Sequence, residues 1–113
     1  MAISEPFENS ATIGTTEWSL TTNTAGPAVE TSDGIFQCWL DLNALALGDI
    51  FEWRLYEKVR SSGTQRETLC ETLVGPSKNW MSVAPVLMNG WDMTLKKLSG
   101  TDRSIGWSIR KIA

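Results

Sequence analysis

Residues 35–59 carry the densest apolar material in the chain, in two strand-like runs that are joined by a short turn. In the second run Phe51, Trp53 and Leu55 fall on one side, and charged residues fall between them. A period of two is typical of a half-buried β-strand. One apolar face and one face with charges of both signs is the pattern of an antiparallel sheet that water covers on one side. This stretch therefore predicts a sheet whose apolar face packs on a second layer.

The same alternation recurs along the rest of the chain, between turns rich in Gly, Pro, Asn and Asp. No segment of ten residues has a convincing helical period. The strand-like segments lie at about residues 15–22, 35–42, 49–59, 64–74, 79–88, 91–98 and 103–112. Together they predict an all-β fold, an antiparallel β-sandwich of about seven strands of Ig-like or jelly-roll type.

Several local signals predict how these strands connect. Residues 60–63 have the length and the glycine of a hairpin loop, and Asn89-Gly90 is a strong signal for a two-residue hairpin turn. Residues 43–49 are too short for a stable isolated helix, so we expect a single helical turn there. Weak alternation in segment 64–74 predicts a bulge or an edge position. Pro85 cannot donate to a ladder, which places segment 79–88 at an edge or a bulge.

The N-terminal residues 1–14 are polar, with isolated Phe7 and Ile13, and they show neither a strand nor a helix period. We therefore predict two parts, a flexible N-terminal arm over residues 1–14 and a single sandwich domain over residues 15–113. Phe7 and Ile13 could anchor the arm on a neighbouring subunit, and an arm without any role is the alternative.

The chain has 113 residues, a formal net charge of −3 and no histidine. This length suits one domain, and the lack of a basic footprint argues against nucleic acid as a partner. No leader and no span of about 18 apolar residues is visible, so we expect a protein made in the cytoplasm without membrane contact. Cys38 and Cys70 could pair across two sheets, but in a cytosolic product free thiols are favoured.

No residue set predicts catalysis, a metal site or a cofactor. Without histidine a Ser-His-Asp or Cys-His set is excluded, and Asp41, Asn43 and Asp49 suit turn capping better than calcium binding. A carboxylate pair could serve a glycosidase, but the acids of segment 49–74 alternate with bases as on a solvated sheet face. These residues are Glu52, Glu57, Glu67 and Glu71 with Arg54, Lys58, Arg60 and Arg66. We therefore expect no enzymatic activity.

Six tryptophans are the most unusual feature of the composition. Trp53, Trp91 and Trp107 follow the apolar phase of their strands, which predicts burial in the core. Trp39 shares its face with polar residues, and Trp80 lies beside a turn. Because tryptophan anchors interfaces and stacks on sugar rings, Trp39 and Trp80 are candidate contacts with a partner or ligand, with burial as the alternative for both.

Three segments carry a family resemblance: GTTEWSLTTNTAGP (residues 14–27), DLNALALGDIFEWRLYEKVR (residues 41–60) and NGWDMTLKKLSGTDRSIGWSIRK (residues 89–111). In these segments the chain resembles small β-sandwich virion proteins that are encoded among the structural genes of tailed bacteriophages, including marine ones. The resemblance covers about residue 14 to the C-terminus. It implies a non-enzymatic structural protein of the virion, and it transfers no functional residue position by position.

This resemblance implies a place either on the capsid shell, as a decoration (cement) protein, or on the tail or a fibre. A small acidic sandwich with a flexible arm fits a protein that docks on the shell as a homo-oligomer, such as a trimer, and clamps neighbouring subunits of the major capsid protein. The arm around Phe7 and Ile13 could add a strand to a neighbour's sheet edge, and segment 79–88 is a second candidate contact.

The alternative is a tail or fibre module that binds a host surface glycan through Trp39 or Trp80, and a free carbohydrate-binding module is a third option. An exposed tryptophan pair in a concave face would favour a glycan. Buried tryptophans and an arm lying on another subunit would favour the capsid.

Overall fold

The computed structural model describes residues 2–112, which form ten β-strands in two antiparallel sheets packed on each other. Met1 and Ala113, the outer ends of the predicted arm and domain, lie outside the described residues. Within them no helix occurs, and nothing has the helical length and hydropathy that a membrane crossing needs. The predicted antiparallel β-sandwich is confirmed. The strands are β1 (Ile3–Ile13), β2 (Trp18–Ser19), β3 (Thr24–Ala25), β4 (Gly34–Asp41), β5 (Ile50–Glu57), β6 (Arg66–Val74), β7 (Asn79–Met81), β8 (Val86–Leu87), β9 (Asp92–Ser99) and β10 (Arg103–Ile112).

The two sheets have different strand orders. Sheet A has the order β1-β10-β4-β7, and β8 pairs with β4 beside β7. Sheet B has the order β3-β2-β9-β5-β6. The chain passes between the sheets at each of the connections β1–β2, β3–β4, β4–β5, β6–β7, β8–β9 and β9–β10. Most neighbours within a sheet are therefore distant in sequence, which is why the strand order could not be read from the sequence.

The N-terminal segment is not an arm. Residues 1–14 lack an obvious period, yet Ile3–Ile13 forms the longest strand and pairs antiparallel with β10. Ile13 is buried in the core, and Phe7 and Ala11 pack against it. An edge strand needs few apolar residues because it covers only the margin of the core. In β1 the polar residues between Phe7, Ala11 and Ile13 therefore hid the period of two. The prediction of a separate flexible arm is wrong for these residues, and β1 belongs to the sandwich.

The free edge of β1 is unsuited to accept or donate a further strand. Pro6 has no backbone N–H, and the register of the ladder shifts between Ser4 and Phe7. Proline and a bulge are devices by which natural sheets block pairing at an edge. The idea that this segment adds a strand to a neighbour's sheet therefore loses its structural basis.

The signals in segment 49–74 predicted the structure well. β5 and β6 pair antiparallel around the loop at residues 60–63, and β6 forms the edge of sheet B. Leu55 pairs with Leu69 while Tyr56 pairs with Glu67, which leaves one extra residue in β6. The predicted hairpin, edge position and bulge are confirmed. Pro85 likewise separates the short edge strands β7 and β8, as expected for segment 79–88.

Three local predictions differ from the structure. Asn89 and Gly90 connect β8 of sheet A to β9 of sheet B, so they cannot form a hairpin. The Asn89 side chain instead donates to the Lys58 carbonyl at 3.2 Å, which holds the crossing against the end of β5. Residues 43–49 form turns without a helical turn. The predicted strand 15–22 shortens to β2, because the chain reverses at Asn23, with φ 54°, to pair β2 with β3.

The core lies between the sheets and contains the three tryptophans that alternation assigned to it. Trp53, Trp91 and Trp107 are at most 4% exposed, so that prediction is confirmed. The indole of Trp91 donates to the Ser32 carbonyl at 2.8 Å, and that of Trp107 donates to the Leu20 carbonyl at 2.9 Å. Trp91 and Trp107 thus combine a buried ring with a satisfied indole N–H, the usual arrangement of a buried tryptophan.

Both cysteines are free, as predicted. Cys38 is buried in β4 of sheet A, and Cys70 is exposed on β6 of sheet B. Burial raises the pKa of the Cys38 thiol to about 12, although the side chain of Trp53 acts in the opposite direction. The Cys38 thiol is therefore a small packing group.

Candidate functional site

The four candidate contact residues do not come together in the structure. Ile13 is 1% exposed and packs inside its own domain. Phe7 is partly buried, and its ring meets that of Trp91 edge-on, with centroids 5.8 Å apart. Both side chains therefore stabilise the sandwich that contains them, so as placed neither offers an anchor for another subunit.

Trp80 also turns towards the core. It pairs with Leu40, whose side chain is buried between the sheets, so both residues lie on the inner side of sheet A. Its ring packs against that of Trp53, with centroids 5.2 Å apart and planes at 57°. Trp39 is the next residue before Leu40 and points to the opposite side of the sheet. The two tryptophans are thus separated by the sheet and cannot form a stacking pair.

Trp39 is the candidate that remains at the surface. It is partly exposed on the outer side of sheet A, and its indole N–H donates to the Gln37 side-chain oxygen at 3.0 Å. Gln37 in turn donates to the Ser82 carbonyl at 2.9 Å. This chain of hydrogen bonds ties the ring to the loop between β7 and β8. Trp39 is therefore held in one orientation by its own sheet.

Arg110 lies over the Trp39 ring, with its guanidinium carbon 4.6 Å from the ring centroid. The register of β10 on β4 brings them together, because Ser108 pairs with Trp39 and Gln37 pairs with Arg110. The sequence analysis did not connect Arg110 with Trp39. The 70 residues between Trp39 and Arg110 carry no signal of that pairing, which only the sheet register supplies.

Two shallow grooves flank Trp39 on this side of the sheet. One, of about 200 Å³, which we call the polar groove for its Asp41, Asn79 and Ser108, also includes Leu40 and Trp107 in its lining. The other, of about 230 Å³, is lined mainly by Ile3, Ile35, Ala84 and Ile112. Both grooves include Trp39 and Arg110 in their walls. This pair therefore stands between a polar and an apolar groove.

Exposed apolar side chains extend this surface. Ile3, Met81 and Val86 are 68%, 55% and 72% exposed, and each pairs with an outward-facing residue of sheet A. We call the surface formed by Trp39, Arg110, Ile3, Ile35, Met81, Val86 and Ile112 the sheet A face. A contiguous apolar surface around an aromatic and an arginine is typical of a protein interaction site.

The outer side of sheet B has a different character, with acids arranged around one base. Arg54 forms ion pairs with Glu17, Glu52 and Glu67. The Tyr56 hydroxyl donates to Glu17 at 2.5 Å and accepts a hydrogen bond from Arg54, and this second bond is the main cause that raises the pKa of the guanidinium. The acids are thus neutralised by their neighbours, as expected for the alternating charges of this hairpin. The cluster is a structural network.

The oxygen-bearing residues of the β4–β5 connection cap turns, as predicted. Asp41 accepts the Asn43 backbone N–H at 3.1 Å. Asp49 accepts the N–H groups of Ala46 at 2.8 Å and Thr101 at 3.0 Å, and it pairs with Arg103 at 2.6 Å. These bonds lower the pKa of Asp49 to about 2. Within residues 2–112, no three His, Cys, Asp or Glu side chains form a group that could hold a metal ion.

Comparisons with known proteins add no relative: no protein-family model, no curated protein and no solved structure matches the chain. The sheet A face is accordingly defined by its own geometry and chemistry.

Proposed function

We propose that the protein is a non-enzymatic structural protein of a phage virion, a decoration (cement) protein that binds the outside of the head shell. The family resemblance of the three segments supports the virion setting. The observation that supports docking is the sheet A face, which combines exposed aliphatic side chains with a fixed Trp39 and Arg110. Tryptophan and arginine are the residues that most often dominate the energy of protein interfaces.

The mode of attachment follows from the position of β1. Since Ile3–Ile13 is part of sheet A, the protein attaches through a rigid face of its folded domain, and Ile3 of β1 lies at the margin of that face. The partner is the major capsid protein. A homo-oligomer, for example a trimer at a symmetric position of the shell, would present several copies of the face at once. Several modest contacts then give a stable attachment through effective concentration.

A tail or fibre module that binds a host surface glycan is the second candidate. The polar groove beside Trp39 favours it, because Asp41, Asn79 and Ser108 offer the hydrogen bonds that sugar hydroxyls need. Two observations weigh against it. Arg110 covers the Trp39 ring, and Trp80 packs on Trp53 at the inner side of the sheet.

Co-sedimentation with capsids that lack the protein tests the proposal. Wild-type protein should bind saturably at a fixed ratio to the capsid subunit, and Trp39→Ser should weaken binding at least about tenfold, as expected for an interface hot spot. Leu47→Ser is a matched control, since Leu47 is 90% exposed in a connecting turn outside the sheet A face. Absence of wild-type binding would reject the head position, and a glycan screen with the same variants would then test the second candidate.

A further inference from the structure

We infer that Trp39 and Arg110 form a receptor for one acidic side chain of the partner protein, with an aliphatic side chain of that partner seated in the adjoining apolar groove. The inference rests on the proposed function, and it names the chemistry of the surface that the sheet A face recognises.

Arg110 is positioned before any partner binds. Its guanidinium stacks on the Trp39 ring at 4.6 Å, and its Nε donates to the Ser108 hydroxyl at 3.2 Å. Ser108 in turn donates to the Glu5 carboxylate. An arginine that is stacked on one side and bonded through Nε keeps its terminal nitrogens for a ligand. Because the guanidinium is already oriented, little side-chain entropy is lost on binding.

The guanidinium of Arg110 has no carboxylate in direct contact among residues 2–112. Arg54 and Arg103 both form ion pairs, so their guanidinium groups are already engaged. A planar guanidinium with free terminal nitrogens binds a carboxylate through two parallel hydrogen bonds. Arg110 therefore has an unused capacity that matches an Asp or Glu side chain.

The other charges on the outer side of sheet A are acidic. Glu8 and Asp41 occupy outward positions in the ladders, and Glu5 accepts a hydrogen bond from the outward-facing Ser108. Lys111 points to the inner side and lies over the Phe36 ring. An extended acidic surface would be repelled by these carboxylates. A single carboxylate aimed at Arg110 is attracted, so the charge pattern favours one acidic residue in an otherwise neutral segment.

The apolar groove beside Arg110 indicates that the carboxylate which Arg110 binds belongs to a protein. Ile3, Ile35, Ala84 and Ile112 line a space of about 230 Å³ that begins beside Arg110. A polypeptide can offer an aliphatic side chain next to an acidic one, whereas an acidic sugar offers the carboxylate without the aliphatic group. A sugar would also have to displace Arg110 to stack on the covered side of Trp39. A carboxylate in the guanidinium plane leaves that stacking intact.

Titration of the ¹⁵N-labelled full chain with a capped dipeptide, acetyl-Leu-Glu-amide, tests the receptor by NMR. The Trp39 indole and Arg110 Nε signals should shift saturably, and acetyl-Leu-Gln-amide should bind at least about tenfold more weakly because it lacks the charge. Arg110→Gln should remove the preference for the acidic peptide. Arg66→Gln is the matched control, since Arg66 is exposed on β6 of the other sheet and should leave the titration unchanged.

Three outcomes would overturn the inference: equal affinity for the two peptides, an unchanged preference in Arg110→Gln, or no saturable shift. Stronger binding of methyl glucuronide than of the acidic peptide would also overturn it, in favour of an acidic glycan. Capsid co-sedimentation separates this result from the proposed function. Wild-type binding to capsids that Arg110→Gln does not weaken rejects the receptor alone, and peptide binding without capsid binding rejects the head position alone.

Discussion

Phe7 in β1 meets the Trp91 ring edge-on, with centroids 5.8 Å apart and planes at 82°. Trp91 lies just before β9, at the far end of the chain from Phe7, and is completely buried. The contact shows that the N-terminal segment closes the core of the sandwich. It also explains why two isolated apolar residues in a polar segment are enough to fix a strand, since each meets a large buried surface.

Substitution of Ile13 should reveal the contribution of β1 to stability. Ile13→Ala should reduce the free energy of unfolding by about 2–4 kcal/mol, because a fully buried aliphatic side chain is truncated. Ile3→Ala, on the same strand but 68% exposed, should change it by less than about 0.5 kcal/mol. Urea unfolding followed by tryptophan fluorescence measures both. Equal stability of Ile13→Ala and wild type would mean that β1 is not part of the folded core in solution.

Two buried tryptophans should respond differently to the same substitution. Trp107 donates to the Leu20 carbonyl, whereas the indole N–H of Trp53 has no ordinary hydrogen-bond partner among residues 2–112. The polar neighbour of Trp53 is the Cys38 thiol, a weak acceptor. Trp107→Phe should therefore cost about 1–2 kcal/mol more than Trp53→Phe, since it leaves a buried carbonyl without its donor. Denaturant unfolding of the two variants gives the difference, and a larger cost for Trp53→Phe would contradict this account of the core.

Asp49 should make the fold sensitive to acid. Hydrogen bonds from Ala46, Thr101 and Arg103 lower its pKa to about 2, below the value of about 3.9 in an unfolded chain. A lowered folded-state pKa gives stability that is present above the unfolded value and is lost as the pH falls from about 4 to 2. Thermal unfolding of wild type and Asp49→Asn between pH 2 and 5 should show a smaller pH dependence in the variant.

Burial raises the pKa of Asp92, so this group changes the pH dependence of stability in the direction opposite to Asp49. The comparison of wild type with Asp49→Asn is therefore needed to isolate the contribution of Asp49. Parallel pH profiles for the two proteins would show that Asp49 does not carry the acid sensitivity.

The two thiols should differ in reactivity. Cys38 is buried with a pKa of about 12, and Cys70 is exposed. One thiol per chain should react with Ellman's reagent in the native state, and two after unfolding. Partial desolvation by its neighbours and the nearby Glu52 and Glu67 raise the pKa of the exposed Cys70 thiol, so its native reaction should be slower than that of free cysteine. Cys70→Ser should abolish the native reaction and Cys38→Ser should preserve it; the reverse pattern would contradict the assignment of the two environments.

Alternation predicted the strands that form the middle of each sheet. In the middle of β5 and β10 every second residue is apolar and becomes buried, so the local pattern and the tertiary environment agree. The prediction failed where a strand lies at the margin, as in β1, because one weakly covered face leaves no strong pattern. It failed again at Asn89-Gly90, where the residues suit a hairpin but the strands on either side belong to different sheets.

The candidate site was predicted only in part. Trp39 was singled out because it shares its face of β4 with Gln37 and Asp41, and it is the candidate that remains at the surface. The sequence could not distinguish Trp80 from Trp39 as a surface residue. In the structure Trp80 pairs with Leu40, the residue after Trp39, so the two rings lie on opposite sides of the sheet. Arg110 and Ile3 belong to the site because β10 pairs with β4 and β1 pairs with β10, and the sequence predicted neither pairing.

The sequence by itself determined that this chain folds as an antiparallel sandwich, because side-chain alternation is a local property that the strand backbone converts directly into two faces. The phases of Trp53, Trp91 and Trp107 also determined that these three rings are buried. Only the tertiary structure decided that the N-terminal segment is a strand and that Arg110 stacks on Trp39. Both depend on the register between strands that are far apart in the chain, and that register is set by packing of the whole core rather than by any local pattern.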